Sequence, residues 1–220
     1  MGLREDRISA SDEYWHTRAE LFSGAYTTRD LLLRPNKVFL RRRMEVVSRF
    51  MAPDASAVAL DAGCGSGELA TILATYYKSV VGVDYSQIMI DLARKNSPPA
   101  NVEYQQADCA HLPLAADSVD YVFALGLLDY LPDLNAVLAE FRRVAKKHAR
   151  MVLTIPKTPS LFEPLRWSSA IRSRLFKIPP LVNVLSRRAL ERALDRQGMK
   201  ILDVTSLWTT MWIVHVSVTK

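Results

Sequence analysis

Long apolar runs are missing from this chain: no stretch reaches the roughly eighteen residues of a membrane-spanning helix, and the opening MGLREDRISA lacks the apolar core of an export signal. A cytoplasmic protein is therefore expected. Nor is a lipid anchor, since Asp6 stands where a myristoylation signal needs Ser or Thr. Cysteine is scarce, and Cys64 and Cys109 alone are too few for a disulfide scaffold, which leaves them as small apolar fillers. The histidines, His16, His111, His148 and His215, lie far apart in no ligand pattern, so no metal is expected.

Acids are short in one region. Between residues 140 and 200 fifteen Lys or Arg face only Glu140, Glu163, Glu191 and Asp195, in a chain whose formal net charge is +6. Solvated helix faces account for this, or a basic surface toward an anionic acceptor or a membrane surface. The aromatic interleaving and motifs of a nucleic-acid module are absent, so nucleic acid is not an expected partner.

Glycine is sparse as well, with eight residues, yet three crowd into LDAGCGSGELA as Gly63, Gly65 and Gly67. Their backbone can approach a ligand closely. No Gly-Lys-Ser or Gly-Lys-Thr follows, and Glu68 stands where a phosphate loop tolerates no negative charge. The dinucleotide fingerprint G-x-G-x-x-G fails too, because the third glycine arrives one residue early.

What surrounds the glycines is an alternation of short Val-rich runs and amphipathic ones: AVALDAG, ELATILATYY, SVVGVDY, SQIMIDLARK, VEYQQAD, VDYVFAL and MVLTIP. This is the pattern of a parallel sheet covered on both faces, an α/β doubly wound domain. MKILDVTSLW and TTMWIVHVSV leave no room for a crossover helix and must pair antiparallel. SRRALERALDRQG reads as a helix capped by Ser186 and stopped by Gly198. One domain is expected over 1–220: a helical cap at 1–53, a core at 54–156, a basic helical insertion and helix at 157–198, and a strand pair at 199–220. Arg41, Arg42 and Arg43, being consecutive, fan around the second helix of the cap and are expected in solvent.

Three acids end successive strands. Asp61 repels a pyrophosphate but suits a cationic amino group; Asp84 can accept both hydroxyls of a ribose; Asp108 can accept from an adenine amino group. Together they suit a cationic nucleoside without phosphates.

Over roughly residues 55 to 155, VALDAGCGSGELA, VVGVDYSQIMIDLAR and VEYQQADCAHLPLAADSVDYVFALGLLDYLPD resemble the class I S-adenosylmethionine-dependent methyltransferases, in order and in register. The resemblance implies a Rossmann-like, mostly parallel seven-stranded sheet and S-adenosyl-L-methionine as cofactor. It implies that Asp61, Gly63, Cys64, Gly65 and Gly67 form the loop for the methionine portion, with Asp84 at the ribose and Tyr85 and Met89 beside the adenine. Asp108 and Cys109 match the adenine edge, and Leu125 and Gly126 the end of the fourth strand near the amino group. Many members carry a Glu-His pair where this chain has Asp129 and Tyr130. The expected activity is methyl transfer to a small-molecule acceptor, such as a natural product, a lipid-linked compound or a sugar; a non-catalytic partner subunit is the alternative. Asp129, Tyr130 and Tyr26, the last as a lid, are the catalytic candidates. In the insertion, Arg166, Trp167, Arg172, Arg174 and Lys177 could hold an acidic acceptor, or with Ile171, Leu175 and Phe176 lie on anionic lipid.

Overall fold

The computed structural model describes residues 35–96, 98–159, 182–208 and 210–220. Tyr26, the first expected helix and most of the basic insertion lie outside these residues.

Short, β-branched runs alternate with helices in the described chain. Helix α1 (Pro35–Val47) and a single 3₁₀ turn (Ser48–Phe50) lead into β1 (Asp54–Ala62), α2 (Glu68–Leu73), β2 (Tyr77–Asp84), α3 (Gln87–Lys95) and β3 (Val102–Gln106). Then follow β4 (Val119–Ala124), α4 (Leu134–Val144), β5 (Ala145–Pro156), α5 (Arg187–Asp195), β6 (Met199–Leu207) and β7 (Met211–Val218). The seven strands run in the order β3-β2-β1-β4-β5-β7-β6. All neighbours from β3 to β5 pair parallel, and β7 alone runs against both β5 and β6.

Coverage on both faces explains the near-continuous apolar runs. Ala59, Leu60, Asp61 and Ala62 of β1 are all buried, and β7 is buried along most of its length because it lies between β5 and β6. One face packs Phe141, Leu138 and Leu194 from α4 and α5; the other packs Val46 and Val47 of α1 with Leu69 and Leu73 of α2. The connections after β1 and β4 leave in opposite directions, toward β2 and toward β5. That reversal opens a crevice at the carboxyl ends of β1 and β4.

Two elements depart from the sequence reading. The helix over ELATILATYY stops at Leu73, because Tyr77 enters β2 and buries its ring against Tyr121, with centroids 4.6 Å apart. Asn101 Nδ2 then donates to the freed carbonyl of Ala74 at 3.0 Å and to that of Tyr77 at 3.2 Å. Strand β3 ends at Gln106, which leaves Asp108 in the turn beyond it. At the C-terminal helix the caps agree with the sequence: Ser186 Oγ accepts from Ala189 N at 3.3 Å, and Gly198 has φ +63°.

The Tyr77 hydroxyl is buried with no hydrogen-bond partner among the described residues. An unpaired buried hydroxyl costs more than the missing oxygen of phenylalanine, so Tyr77→Phe is expected to raise stability by about 1 kcal/mol in urea unfolding.

Candidate active site

At the crevice the loop after β1 is stitched to the end of β2. Gly63 N and Cys64 N both donate to Val83 O, at 2.8 and 2.9 Å, and Gly67 N donates to Cys64 O at 3.0 Å. Asp84 braces the same loop, with Oδ2 accepting from Gly65 N at 3.0 Å and Oδ1 from Ser86 N at 2.9 Å. The carboxylate thereby sets both the glycine loop and the turn into α3.

Gly67 cannot be another residue without cost. Its φ is +88°, and a Cβ there would lie 2.2 Å from the Tyr104 hydroxyl, which donates to Gly67 O at 3.1 Å. Tyr104 fills the slot between Gly67 and Gly82, whose own Cβ would meet its ring at 2.5 Å. Gly65 differs, since nothing lies within 4 Å of the place its Cβ would take. Bare backbone faces open space there, as a closely seated ligand requires.

Asp61 is the buried acid of the site, only 2% exposed. Its carboxylate receives the Ala70 amide, in the first turn of α2, while Oδ2 has no hydrogen-bond partner among the described residues. Burial pushes its carboxyl up to about 8, with the charges of Asp84 and Glu68 adding to the rise and the Ala70 amide and Arg43 opposing it. A carboxylate so placed gains most from a cationic partner.

Beyond β4, Gly126 N donates to Thr154 Oγ1 of β5 at 2.7 Å. The Leu127 side chain packs over Gly63, 3.0 Å from where a Cβ would stand, and so joins the β1 and β4 loops. Asp129 is buried; its Oδ1 has no partner among the described residues, and burial lifts its carboxyl to about 7 against the pull of Arg43. Its loop is held from outside by the segment that precedes α5. Val182 N and Asn183 N donate to Asp129 O at 2.8 and 3.2 Å, and Asn183 Nδ2 donates to Leu128 O and Leu131 O at 2.8 and 2.7 Å.

The structure thus brings Asp61, Gly63, Cys64, Gly65, Gly67, Asp84, Leu125, Gly126 and Asp129 to one edge, with Tyr130 half-buried beside Asp129. Tyr85 is exposed on the turn that follows Asp84. Met89 is buried, and so are Cys64 and Cys109, whose thiols burial pushes upward. Asp108 is exposed and caps its own turn, Oδ1 accepting from Ala110 N at 2.8 Å, while the exposed His111 sits 3.4 Å from Oδ2. The expectation for the three arginines needs correction. Arg41 and Arg42 are exposed and pair with Glu45, but Arg43 is only 6% exposed, because it shares the buried face of α1 with Val46 and Val47.

Arg43, Tyr104, Thr154 and Asn183 are the supporting residues that the sequence reading missed. For Arg43 the available signal was its spacing of three and four from two buried valines.

A family model described as "Methyltransferase domain" matches residues 60–153, which hold the glycine loop and every strand end of the crevice up to β5. Over this span the chain carries a methyltransferase domain and is similar to S-adenosylmethionine-dependent methyltransferases. An O-methyltransferase of Pyrenophora dematioidea is 27% identical over 176 residues, covering 76% of this chain and 62% of that protein. A demethylmenaquinone methyltransferase of Lactobacillus johnsonii is 28% identical over 189 residues, covering 74% and 75%. The chain spans 42% of the length of two Mycobacterium tuberculosis relatives, so it corresponds to a part of several of these proteins. Among solved structures, an S-adenosylmethionine-dependent methyltransferase from Mesorhizobium loti superposes with a TM-score of 0.65 at 17% identity, over 78% of this chain and 96% of that one.

The cofactor of this methyltransferase family is S-adenosylmethionine, and the site fits it. The buried Asp61 oxygen, without a partner among the described residues, suits an ammonium group, the uncovered Gly65 suits close approach, and the acid-rich edge suits a ligand without phosphates.

Proposed function

We propose that the chain is an enzyme that transfers a methyl group from S-adenosylmethionine to a small-molecule acceptor by in-line displacement, and that it works as a single domain. The observation that carries this reading is Asp84, which braces the open glycine loop while standing at the strand end beside Asp61. The relatives' names support a small acceptor, one being an O-methyltransferase and another a demethylmenaquinone methyltransferase. The basic stretch from Arg142 to Lys200 supports an acceptor that carries an acidic group.

When bound, the cofactor supplies a sulfonium methyl that is already activated, so the protein's work is alignment and exclusion of water. Asp84 would hold the ribose, and Gly63, Gly65 and Gly67 would let the backbone close on the methionine portion. Leu127, packed over Gly63, closes the gap between the two loops, and the loop of Asp129 and Tyr130 faces the acceptor. Tyr85 would lie beside the adenine, with Cys109 and Asp108 near its edge.

Calorimetric titration with S-adenosylmethionine, its demethylated product and NAD tests the reading, followed by transfer of labelled methyl to a panel of phenols, quinols and carboxylates. Both adenosyl ligands are expected to bind and NAD is not. Asp84→Ala removes two charge-assisted hydrogen bonds and the brace on Gly65, so affinity is expected to fall by about a hundredfold or more. Binding of NAD in preference to the adenosyl ligands would overturn the proposal.

A further inference from the structure

The turn between β6 and β7 breaks a local rule. Thr210 N closes it on Leu207 O at 3.3 Å, and Trp208 within it has φ +49°. Glycine or asparagine takes a left-handed backbone in such a turn readily, whereas a bulky aromatic residue is strained there. Its neighbours hold it in that state. Ser206 Oγ donates to Trp208 O, and Lys157 Nζ donates to Ser206 Oγ at 2.6 Å. Nothing in the pairing of the hairpin needs an indole at this point, and the residue is 52% exposed. A strained residue fixed by its surroundings and turned outward is a side chain kept for contact with something else.

Its position says what that contact is. Leu207 pairs with Met211, and Met211 with Pro156 at the end of β5, so the turn lies on the carboxyl edge that carries the crevice. Trp208 packs against Phe39 of α1, with ring centroids 5.6 Å apart, beside the exposed Val38. Phe39 and Arg43 are four residues apart and share a face of α1. Arg43 Nη1 in turn reaches the end of β4, 3.1 Å from the place a Gly126 Cβ would take. One helical turn and one ring contact therefore separate Trp208 from the crevice, on the order of 12 Å. The way between them is apolar, since the half-buried Phe39 and Leu125 pack on the cluster that contains Leu207 and Met211. Two rings and a valine are far too small for a stable protein interface, which buries about 800 Å² per partner. They suit a chain or ring of a small molecule that already occupies the crevice.

We propose that Trp208, Phe39 and Val38 form a receiving ledge for the apolar end of the acceptor, while its nucleophilic atom lies at the crevice. The acceptor is then a compound with a hydrophobic chain or ring well removed from the methylated atom, and not a sugar or another wholly polar molecule. The ledge rests on the methyl-transfer reading given above and narrows its acceptor.

Binding of 4-methylphenol, 4-butylphenol and 4-octylphenol is measured by calorimetry on the full chain saturated with S-adenosylhomocysteine, in wild type, Trp208→Asn, Trp208→Phe and Phe39→Ala. Full burial is worth about fourfold in affinity per methylene, and a one-sided ledge less than that. The expected result is a rise of about a hundredfold from the methyl to the octyl compound in wild type and in Trp208→Phe. In Trp208→Asn, whose new residue suits the left-handed turn, the rise shrinks to about tenfold or less, and Phe39→Ala does the same. 4-Methylphenol is too short to reach the ledge, so its affinity stays within about twofold of wild type in every variant, as does that of S-adenosylhomocysteine. An undiminished rise in Trp208→Asn overturns the ledge, and so does a flat series in a wild-type protein that binds S-adenosylhomocysteine. Equal weakening of S-adenosylhomocysteine and 4-octylphenol in Trp208→Asn overturns it too, because a merely structural tryptophan disturbs the whole edge. Sedimentation of wild type with phosphatidylcholine vesicles, lost in Trp208→Asn while the phenol series is unchanged, assigns the ring to a bilayer surface and overturns the acceptor role. If wild type binds no S-adenosylhomocysteine, the cofactor reading fails, and the ledge with it.

Discussion

Gly67→Ala is expected to lower stability by about 2–5 kcal/mol and to abolish cofactor binding. The left-handed backbone at φ +88° costs an alanine about 1–2 kcal/mol. The new methyl would stand 2.2 Å from Tyr104 Oη and 2.7 Å from Cζ, and forcing such a contact apart in a packed interior costs roughly 1–3 kcal/mol more. Tyr104 has little room to retreat, because Gly82 backs its ring from the other side. Any relief comes from moving the glycine loop, and that loop carries the amides of Gly63, Cys64 and Gly65 that are anchored on Val83 and Asp84. Urea unfolding of the single variant and of the double variant with Tyr104→Phe measures the two contributions. The double variant keeps the backbone strain but loses the closest contact, so it should recover part of the loss. A Gly67→Ala protein as stable as wild type would mean that the loop does not follow this path.

Asp61→Asn is expected to do the reverse to stability while still destroying the site. The carboxyl of Asp61 is raised from its ordinary 3.8 to about 8, chiefly by burial. Between those values the folded chain holds a proton that the unfolded chain has lost. Stability is therefore fully present below about pH 4 and drains away as pH rises toward 8. At 1.36 kcal/mol per unit this amounts to roughly 4 kcal/mol at neutral pH, rising toward about 6 above pH 8. Asparagine has no such proton to lose. Without cofactor, the variant should match wild type in acid and become progressively more stable than it as pH rises to about 8. Part of the wild-type slope survives in the variant, because Asp129, lifted to about 7, contributes with the same sign. Affinity for S-adenosylhomocysteine should fall by about a hundredfold, since an amide offers an ammonium no opposite charge. Thermal unfolding from pH 4 to 8, with and without the ligand, reads both effects. A variant less stable than wild type at pH 8 would show that Asp61 is not held against ionisation. Stability surrendered at Asp61 is then a cost of binding a cation.

The two variants bear on what could be read in advance. The glycine loop and Asp84 were legible because each lies within a few residues of a strand end, and short βα connections leave little freedom in where such residues go. Asp61 was assigned its place for the same reason. Its oxygen without a partner among the described residues and its raised carboxyl were not legible, because they depend on Ala70, Arg43, Glu68 and Asp84, which three different elements bring around it. Asp108 shows the limit of strand-end reasoning. The strand closes two residues early, and the acid caps its own turn in solvent.

The chain's local patterns by themselves determined the α/β class, the alternation of elements, the reversed strand at the C-terminus and the family of the ligand loop. They did so because hydrophobic period and glycine position act over a few residues. Only the tertiary structure decided which of three consecutive arginines leaves the solvent, that Tyr104 fills the slot beneath Gly67, and that Asn183 pins a loop more than fifty residues earlier in the chain. Those choices are made by the packing of one element on another, and a helix that fans three arginines around its axis buries only the one its neighbours can reach.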